Sequence, residues 1–214
     1  MEAAKNKRQQ PKISEALEIV PLSVMDDVDD YIEKVQFNGG FFSGREERLQ
    51  FDDVRFKQVR FTGAELRGAE FVDVIFDTCD LSNANLSNAT FHRCIFKNVK
   101  LTGTDFSSAA IGHVLFENCE GAYSNFNFSS FKETDFVETD LSSSDFYECK
   151  LKGFRLSKCQ LDDASFAETN LAQIDLSTST YDKIEVTIDK IRGCIVSKEQ
   201  AIRFAQVLGL KIKE

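Results

Sequence analysis

Every fifth residue from Phe51 to Val186 is a large apolar side chain, in a run that begins Phe51, Phe56, Phe61, Leu66, Phe71, Phe76, Leu81, Leu86 and keeps its register to Leu171, Leu176, Tyr181 and Val186. Of the 28 positions in this register, 27 are large and apolar, Gly121 being the exception, and the register holds 14 of the 20 Phe residues. Two residues before each comes a compact side chain, as at Ala64, Ala69, Val74, Cys79, Ala84 and Thr104, with Phe154 the main departure. A five-residue step turns a side chain by about 140° on an α-helix, which scatters the Phe residues around the cylinder. On a straight strand an odd step sends successive Phe residues to opposite faces. Neither element buries this set. A chain that turns after every pentad does, because both the large and the compact residue then point at one axis; the pattern predicts a solenoid.

The clearest units, ANLSN at 84–88, ATFHR at 89–93 and ASFAE at 164–168, resemble the pentapeptide repeat family. The resemblance covers 51–190 and implies an all-β solenoid, a right-handed quadrilateral β-helix with four pentads per coil and a short C-terminal capping helix. The 28 pentads then make seven coils, a rod about 34 Å long at a strand spacing of about 4.8 Å, in which residues 20 apart stack.

Three regions follow. Residues 1–50 form an N-terminal tail, cap and imperfect first coil: Ile32, Phe37 and Phe42 also step by five, one position out of phase. The polar segment 43–48 is expected to absorb the shift, 13–25 to fold over the N-terminal end, and 1–12 to be a flexible tail. Residues 51–190 are the rod. Residues 191–214 are a C-terminal cap, in which Ser197 and Gln200 read as a capping box opening a helix over 198–208, with Ala201, Phe204, Ala205 and Leu208 on one face and Gly209 as the stop. Apolar stretches at 194–196 and 210–212, with Ile195 and Leu210, could pair as strands. This cap resembles that of the Qnr- and MfpA-like branch, which implies a homodimer through Ile195, Ala201, Phe204, Ala205, Leu208 and Leu210; the other reading is that the helix plugs only its own rod.

Little catalytic chemistry is visible. The six cysteines, 79, 94, 119, 149, 159 and 194, all occupy the compact inward position and read as core fillers; within one column, two coils separate Cys79 from Cys119 and Cys119 from Cys159, about 9.6 Å each, beyond disulfide or zinc reach. His92 and His113 fall at outward positions and read as solvated. No nucleophile–base set, metal cluster or phosphate loop stands out, so neither an enzyme nor a cofactor or metal is expected. No apolar run approaches the roughly 20 residues of a membrane helix, and the basic N-terminus leads into no apolar segment, so a cytoplasmic protein with no membrane partner is expected.

Charge carries the functional expectation. With 26 basic and 35 acidic residues the net charge is −9, which opposes direct nucleic acid binding and favours a basic protein partner. Between 101 and 148, nine acids (Asp105, Glu117, Glu120, Glu133, Asp135, Glu138, Asp140, Asp145 and Glu148) face Lys132 alone, and Asp80, Glu120 and Asp140 share a column. This partner-binding acidic surface could imitate a DNA duplex. Members of the Qnr- and MfpA-like branch are acidic dimeric rods that bind DNA gyrase and topoisomerase IV, inhibiting them or protecting them from quinolones, and the resemblance implies the same partner here. The chain lacks the inserted loops of plasmid-borne Qnr members between 51 and 186, so loop-free MfpA is the nearer analogue. At Gly121, Tyr123 could fill the gap or the coil could bulge. A competing reading is a structural or regulatory interaction solenoid whose partner reads a side face or residues 1–50.

Overall fold

The computed structural model describes residues 7–23, 30–44, 48–207 and 209–211. The rod is present, with a 20-residue coil. Strands β1 (Glu18–Val20), β2 (Tyr31–Asn38), β3 (Gln50–Lys57), β4 (Glu70–Asp77), β5 (Thr90–His92), β6 (Ile95–Lys97), β7 (Ala110–Gly112), β8 (Leu115–Glu117), β9 (Ser130–Val137), β10 (Lys150–Ser157), β11 (Ala164–Phe166) and β12 (Ile184–Val186) precede one helix, α1 (Lys198–Val207). All pairings are parallel, and from β3 onward each residue stacks on the one 20 later: Phe51 on Phe71, Phe71 on Phe91, Ile111 on Phe131.

Each coil has four faces. The first two, centred on 51, 71, 91 and so on and on 56, 76, 96 and so on, carry nearly all the strands. The third and fourth, centred on 61, 81, 101 and on 66, 86, 106, are built of turns and single bridges. There the large residue's carbonyl accepts from the N–H three residues on, as Phe61 does from Ala64 (2.8 Å) and Leu101 from Thr104 (2.9 Å). From 63 to 168 the last residue of each turn-face pentad is left-handed, as at Asn83 (φ 57°), Asn88 (φ 59°) and Gly103 (φ 67°), the conformation of the third residue of a type II turn. Asn and Gly tolerate it best, which is why they recur there.

The interior explains the pattern of pentads. Phe rings stack in columns along the rod, Phe76–Phe96–Phe116–Phe136 at 4.6, 4.7 and 4.4 Å, and meet the adjoining column edge-on, as Phe116 meets Phe126. Both arrangements suit the ring quadrupole. Between Cys79 and Thr169 the compact inward position admits hydroxyls and thiols because they find a carbonyl 23 residues back: Thr104 Oγ1 donates to Leu81 O (2.8 Å), Ser124 Oγ to Leu101 O (2.8 Å), Cys119 Sγ to Phe96 O (3.4 Å). No buried hydroxyl of these is left unpaired. At the exception, Phe154 is buried against Phe131 and Phe136 while Leu151, in the large-residue register, is only half-buried.

Ile32, Phe37 and Phe42 are buried, and β2 pairs β3 with a 19-residue offset. The offset passes from 19 at Phe41–Arg60 through 21 at Gly44–Glu65 to 20 at Gln50–Glu70. Gly44 (φ 81°) is required, since a Cβ there would lie 2.1 Å from the Glu65 carbonyl oxygen. Strand β1 covers the edge of β2.

Three expectations are corrected. Of the expected tail 1–12, residues 1–6 lie outside the described residues and 8–12 are not free: residues 8–14 run along the corner between the first two faces, bonded to it. Gly121 is neither filled by Tyr123, which is 68% exposed, nor bulged; its rung is regular, and the Leu141 side chain of the next rung leans into the space. Finally, Ile195 pairs with Asp175 of the rod rather than with 210–211, residue 212 lying outside the described residues. The helix starts as expected, with Ser197 and Gln200 exchanging backbone and side-chain bonds (2.9 and 3.2 Å), and ends at Gly209 (φ 76°), round which Leu210 N–H returns to the Ala205 carbonyl. No helix among the described residues is long and apolar enough to cross a membrane.

Candidate interaction surface

The coil register sorts the predicted acidic residues into two groups. On the first two faces the carboxylates meet cations on neighbouring rungs. Glu117 pairs with Lys97 (3.2 Å), Glu138 with Lys158 (2.8 Å) and Glu133 with Arg155 (3.2 Å). Asp135 is held between Arg155 Nε and Arg8 Nε, the latter at 2.8 Å, and is only 6% exposed. The sequence reading placed Asp135 on the surface; it is inside an ion-pair cluster closed by the N-terminal segment.

That segment bonds to one corner column. Ser14 donates its N–H (2.8 Å) and its hydroxyl to Asp53, Lys12 N–H donates to Asp73 Oδ1 (2.8 Å), Gln9 N–H to His113 Nδ1 (3.3 Å), and Arg8 reaches Asp135. From 53 to 133 the column climbs four rungs, about 19 Å, and six residues of extended chain span about 20 Å. The segment is therefore a strap stretched along the rod. It buries His113, read from sequence as solvated, to 6% exposure. Burial and then Lys132 lower the basicity of His113; burial and Arg93 do the same for His92. At Asp73 burial alone would raise the pKa, but the Arg93 guanidinium and the Lys12 amide outweigh it and hold the carboxyl low.

The turn faces differ. Asp80, Lys100, Glu120 and Asp140 stack in one third-face column, and Asn85, Asp105, Asn125 and Asp145 in one fourth-face column. Among the described residues no Lys or Arg makes an ion pair with Asp80, Asp105, Glu120, Asp140, Asp145 or Glu148. Asp105 instead accepts from the Ser107 N–H (2.9 Å) and the Asn125 amide (3.0 Å), Asp140 from Ser142 N–H (2.9 Å), and Asp145 from Tyr147 N–H (3.2 Å) and the Asn127 amide (2.9 Å). Exposed rings stand beside them: Tyr123, Phe128 and the half-buried Tyr147, with Phe128 and Tyr147 edge-on at 5.6 Å.

The thiols have no reactive character. Burial pushes Cys79, Cys94, Cys119 and Cys149 up to about 12 and half-buried Cys194 to about 11, and it raises Cys159. A cleft of about 480 Å³ lies between the third face and α1, lined by Ser142, Asp162, Ser179, Glu199, Gln200 and Arg203 among others; within it the Ser197 hydroxyl donates to the Glu199 carboxylate (2.9 Å) at the start of the helix. At the C-terminal end Gln200 caps the rod by donating to Leu176 O (3.0 Å) and Ser179 O (2.9 Å), and Phe204 packs near Tyr181. Phe204 and Ala205 are half-buried, whereas Ala201, Ile195 and Leu210 are exposed; Leu208 lies outside the described residues.

A family model described as "Pentapeptide repeat region" matches residues 69–146. No curated protein matches the sequence. Among solved structures, a trypsin-treated variant of QnrB1, a plasmid-mediated fluoroquinolone resistance protein, is 19% identical with a TM-score of 0.52, covering 92% of this chain and 98% of its own. HetL, a pentapeptide repeat protein involved in heterocyst differentiation regulation from the cyanobacterium Nostoc sp. strain PCC 7120, is 14% identical with a TM-score of 0.31, over 78% of this chain and 85% of that one. The unbroken five-residue register, the 20-residue parallel coil and the matched repeat region together make this chain a parallel β-solenoid of the pentapeptide-repeat type.

Proposed function

We propose that the rod is an acidic protein that binds a type II topoisomerase, DNA gyrase or topoisomerase IV, by presenting its third and fourth faces as an imitation of duplex charge, inhibiting the enzyme or protecting it from quinolones. The observation that carries the reading is the group of carboxylates without ion pairs, Asp105, Glu120, Asp140, Asp145 and Glu148, on the faces opposite the strap. With Lys100, which stacks on Glu120, subtracted, they leave a net four charges over three successive rungs, about 14 Å of rod, or one per roughly 4 Å. A duplex carries one per about 1.7 Å, so the densities agree within a factor of about two. The resemblance to the Qnr- and MfpA-like branch supplies the partner. In this reading the protein works in the cytoplasm, binds no nucleic acid directly, and forms a homodimer through the exposed Ile195, Ile202 and Leu210 at its C-terminal end, lengthening the rod. The competing partner site in residues 1–50 is not favoured, because residues 8–14 are engaged by the rod itself.

The test is gyrase supercoiling at rising protein concentration, with and without a fluoroquinolone, using wild type and the Asp105→Asn/Asp140→Asn/Asp145→Asn variant. Asn keeps the Oδ1 acceptor that each turn uses, so the fold is preserved while three charges go. Inhibition or drug protection that weakens with added salt and is lost in the variant is the expected result. Salt-insensitive binding, or full activity of the variant, refutes duplex mimicry.

A further inference from the structure

The corner positions of the turn faces follow a rule that one rung breaks. Along the third-face corner the residues are Gly63, Asn83, Gly103, Tyr123, Ser143 and Asp163; along the fourth they are Gly68, Asn88, Ser108, Phe128, Glu148 and Glu168. All are left-handed, and Tyr123 (φ 62°) and Phe128 (φ 63°) are the only bulky rings among them. Bulky side chains are the ones that region suits least. Both rings also stand in solvent, 68% and 55% exposed, so neither repays its conformation by core burial.

Because they occupy the two corners of a single rung, the rings flank the fourth face from either side. Tyr147 stands on the next rung at 5.6 Å from Phe128. Between and around the rings lie Asp105, Asp145 and Glu148, none ion-paired among the described residues. We infer that this aromatic-edged fourth face is the docking surface for arginine side chains of a protein partner, the guanidinium lying on a ring within about 6 Å of its centre while forking onto Asp105 or Asp145. A second copy of this chain is disfavoured by charge, since it would bring the same carboxylates against themselves. The inference rests on the reading of the rod as the acidic partner of a basic surface and says where on it the contact is made.

The experiment compares wild type with Tyr123→Asn/Phe128→Asn and with Asp105→Asn/Asp145→Asn, all full chain. Asn already occupies both corners at 83 and 88, so the aromatic variant keeps the fold, checked by an unchanged or raised melting temperature. Two probes are titrated by calorimetry: a twelve-residue peptide alternating arginine and glycine, and DNA gyrase. The expected result is about a tenfold or greater loss of peptide affinity in the aromatic variant, at unchanged net charge. Peptide affinity within twofold of wild type in that variant, or no peptide binding by wild type, overturns the inference. If the aromatic variant binds gyrase as wild type does while the acidic variant does not, the inference falls and the duplex-mimic reading stands. If wild type binds the peptide through its rings but ignores gyrase, the topoisomerase reading falls and the docking surface stands.

Discussion

Gly121 sits in the large-residue column between Leu101 and Leu141, so a glycine there should leave a void the size of a Leu side chain. The structure places Leu141 in that space. A Cβ on residue 121 would meet Leu141 Cδ2 at 3.3 Å and the Asp140 carbonyl oxygen at 3.0 Å, both tighter than ordinary contact. Gly121 is not in the left-handed region, so backbone strain plays no part and volume alone decides. Gly121→Leu overpacks the slot and should cost about 1–3 kcal/mol. Leu141→Ala empties it and should cost about 2–5 kcal/mol. If one Leu serves both rungs, the double variant Gly121→Leu/Leu141→Ala moves that Leu down one rung and restores most of the volume. It should then be more stable than the sum of the single effects by about 1 kcal/mol or more. Urea unfolding of the four proteins, compared at equal m-values, measures this coupling. Additivity within about 0.5 kcal/mol would show that the two positions do not share a slot and would refute the packing argument.

Two further predictions concern the strap and the core. His113 accepts the Gln9 N–H and, like His92, is less basic than usual in the folded state; the folded protein therefore favours the neutral rings, and the stability they contribute is complete above about 6.5 and declines as pH falls through that value. Asp73, held low, keeps its contribution until pH drops below the ordinary carboxylate range. Between pH 7.5 and 5.5 the amides of Gln9, Lys12 and Ser14 should lose hydrogen-exchange protection while those of Ile95–Lys97 do not, and His113→Gln should abolish the difference; strap protection that ignores pH would contradict this. For the thiols, a thiol reagent should modify Cys194 well ahead of Cys79, Cys94, Cys119, Cys149 and Cys159, which wait for unfolding. Modification of Cys119 at the Cys194 rate would show that the core opens far more easily than its packing allows.

The core was legible because one period governs it: apart from Gly121 and Phe154, the inward residues from Phe51 to Val186 repeat the same local decision, and the small-large pairing leaves a single way to bury both. The capping box at Ser197 and Gln200 was legible for the same reason, being a local rule. The strap was not. Residues 8–14 are polar and basic, and their partners, Asp53, Asp73, His113 and Asp135, are brought into line only by the coil. A signal did exist in the 20-residue spacing of opposite charges, Asp73 with Arg93, Lys97 with Glu117, Asp135 with Arg155 and Glu138 with Lys158. Counting acids along the chain between 101 and 148 missed it, because in a coil the neighbours that neutralise a charge are 20 residues away.

That spacing also isolates what the fold does not need. On the turn faces a side-chain oxygen closes each corner by accepting the N–H two residues on. Asn85 does this for Ser87 (3.1 Å) and Asn125 for Asn127 (3.0 Å), as Asp105 does for Ser107 and Asp140 for Ser142. A neutral amide thus serves the turn as well as a carboxylate. Charge at these positions is instead a cost where it stacks: Glu120 and Asp140 lie one rung apart, about 4.8 Å, where like charges repel by about 1 kcal/mol even in a water-like dielectric. On the strand faces the same register places a Lys or Arg over most acids, so the chain can neutralise a rung neighbour where neutralisation serves it. Acids retained where Asn performs the structural task, as at Asp105 and Asp145 with only Asn or Ser on the neighbouring rungs and strained rings at the edges of their face, are what the proposed partner would account for.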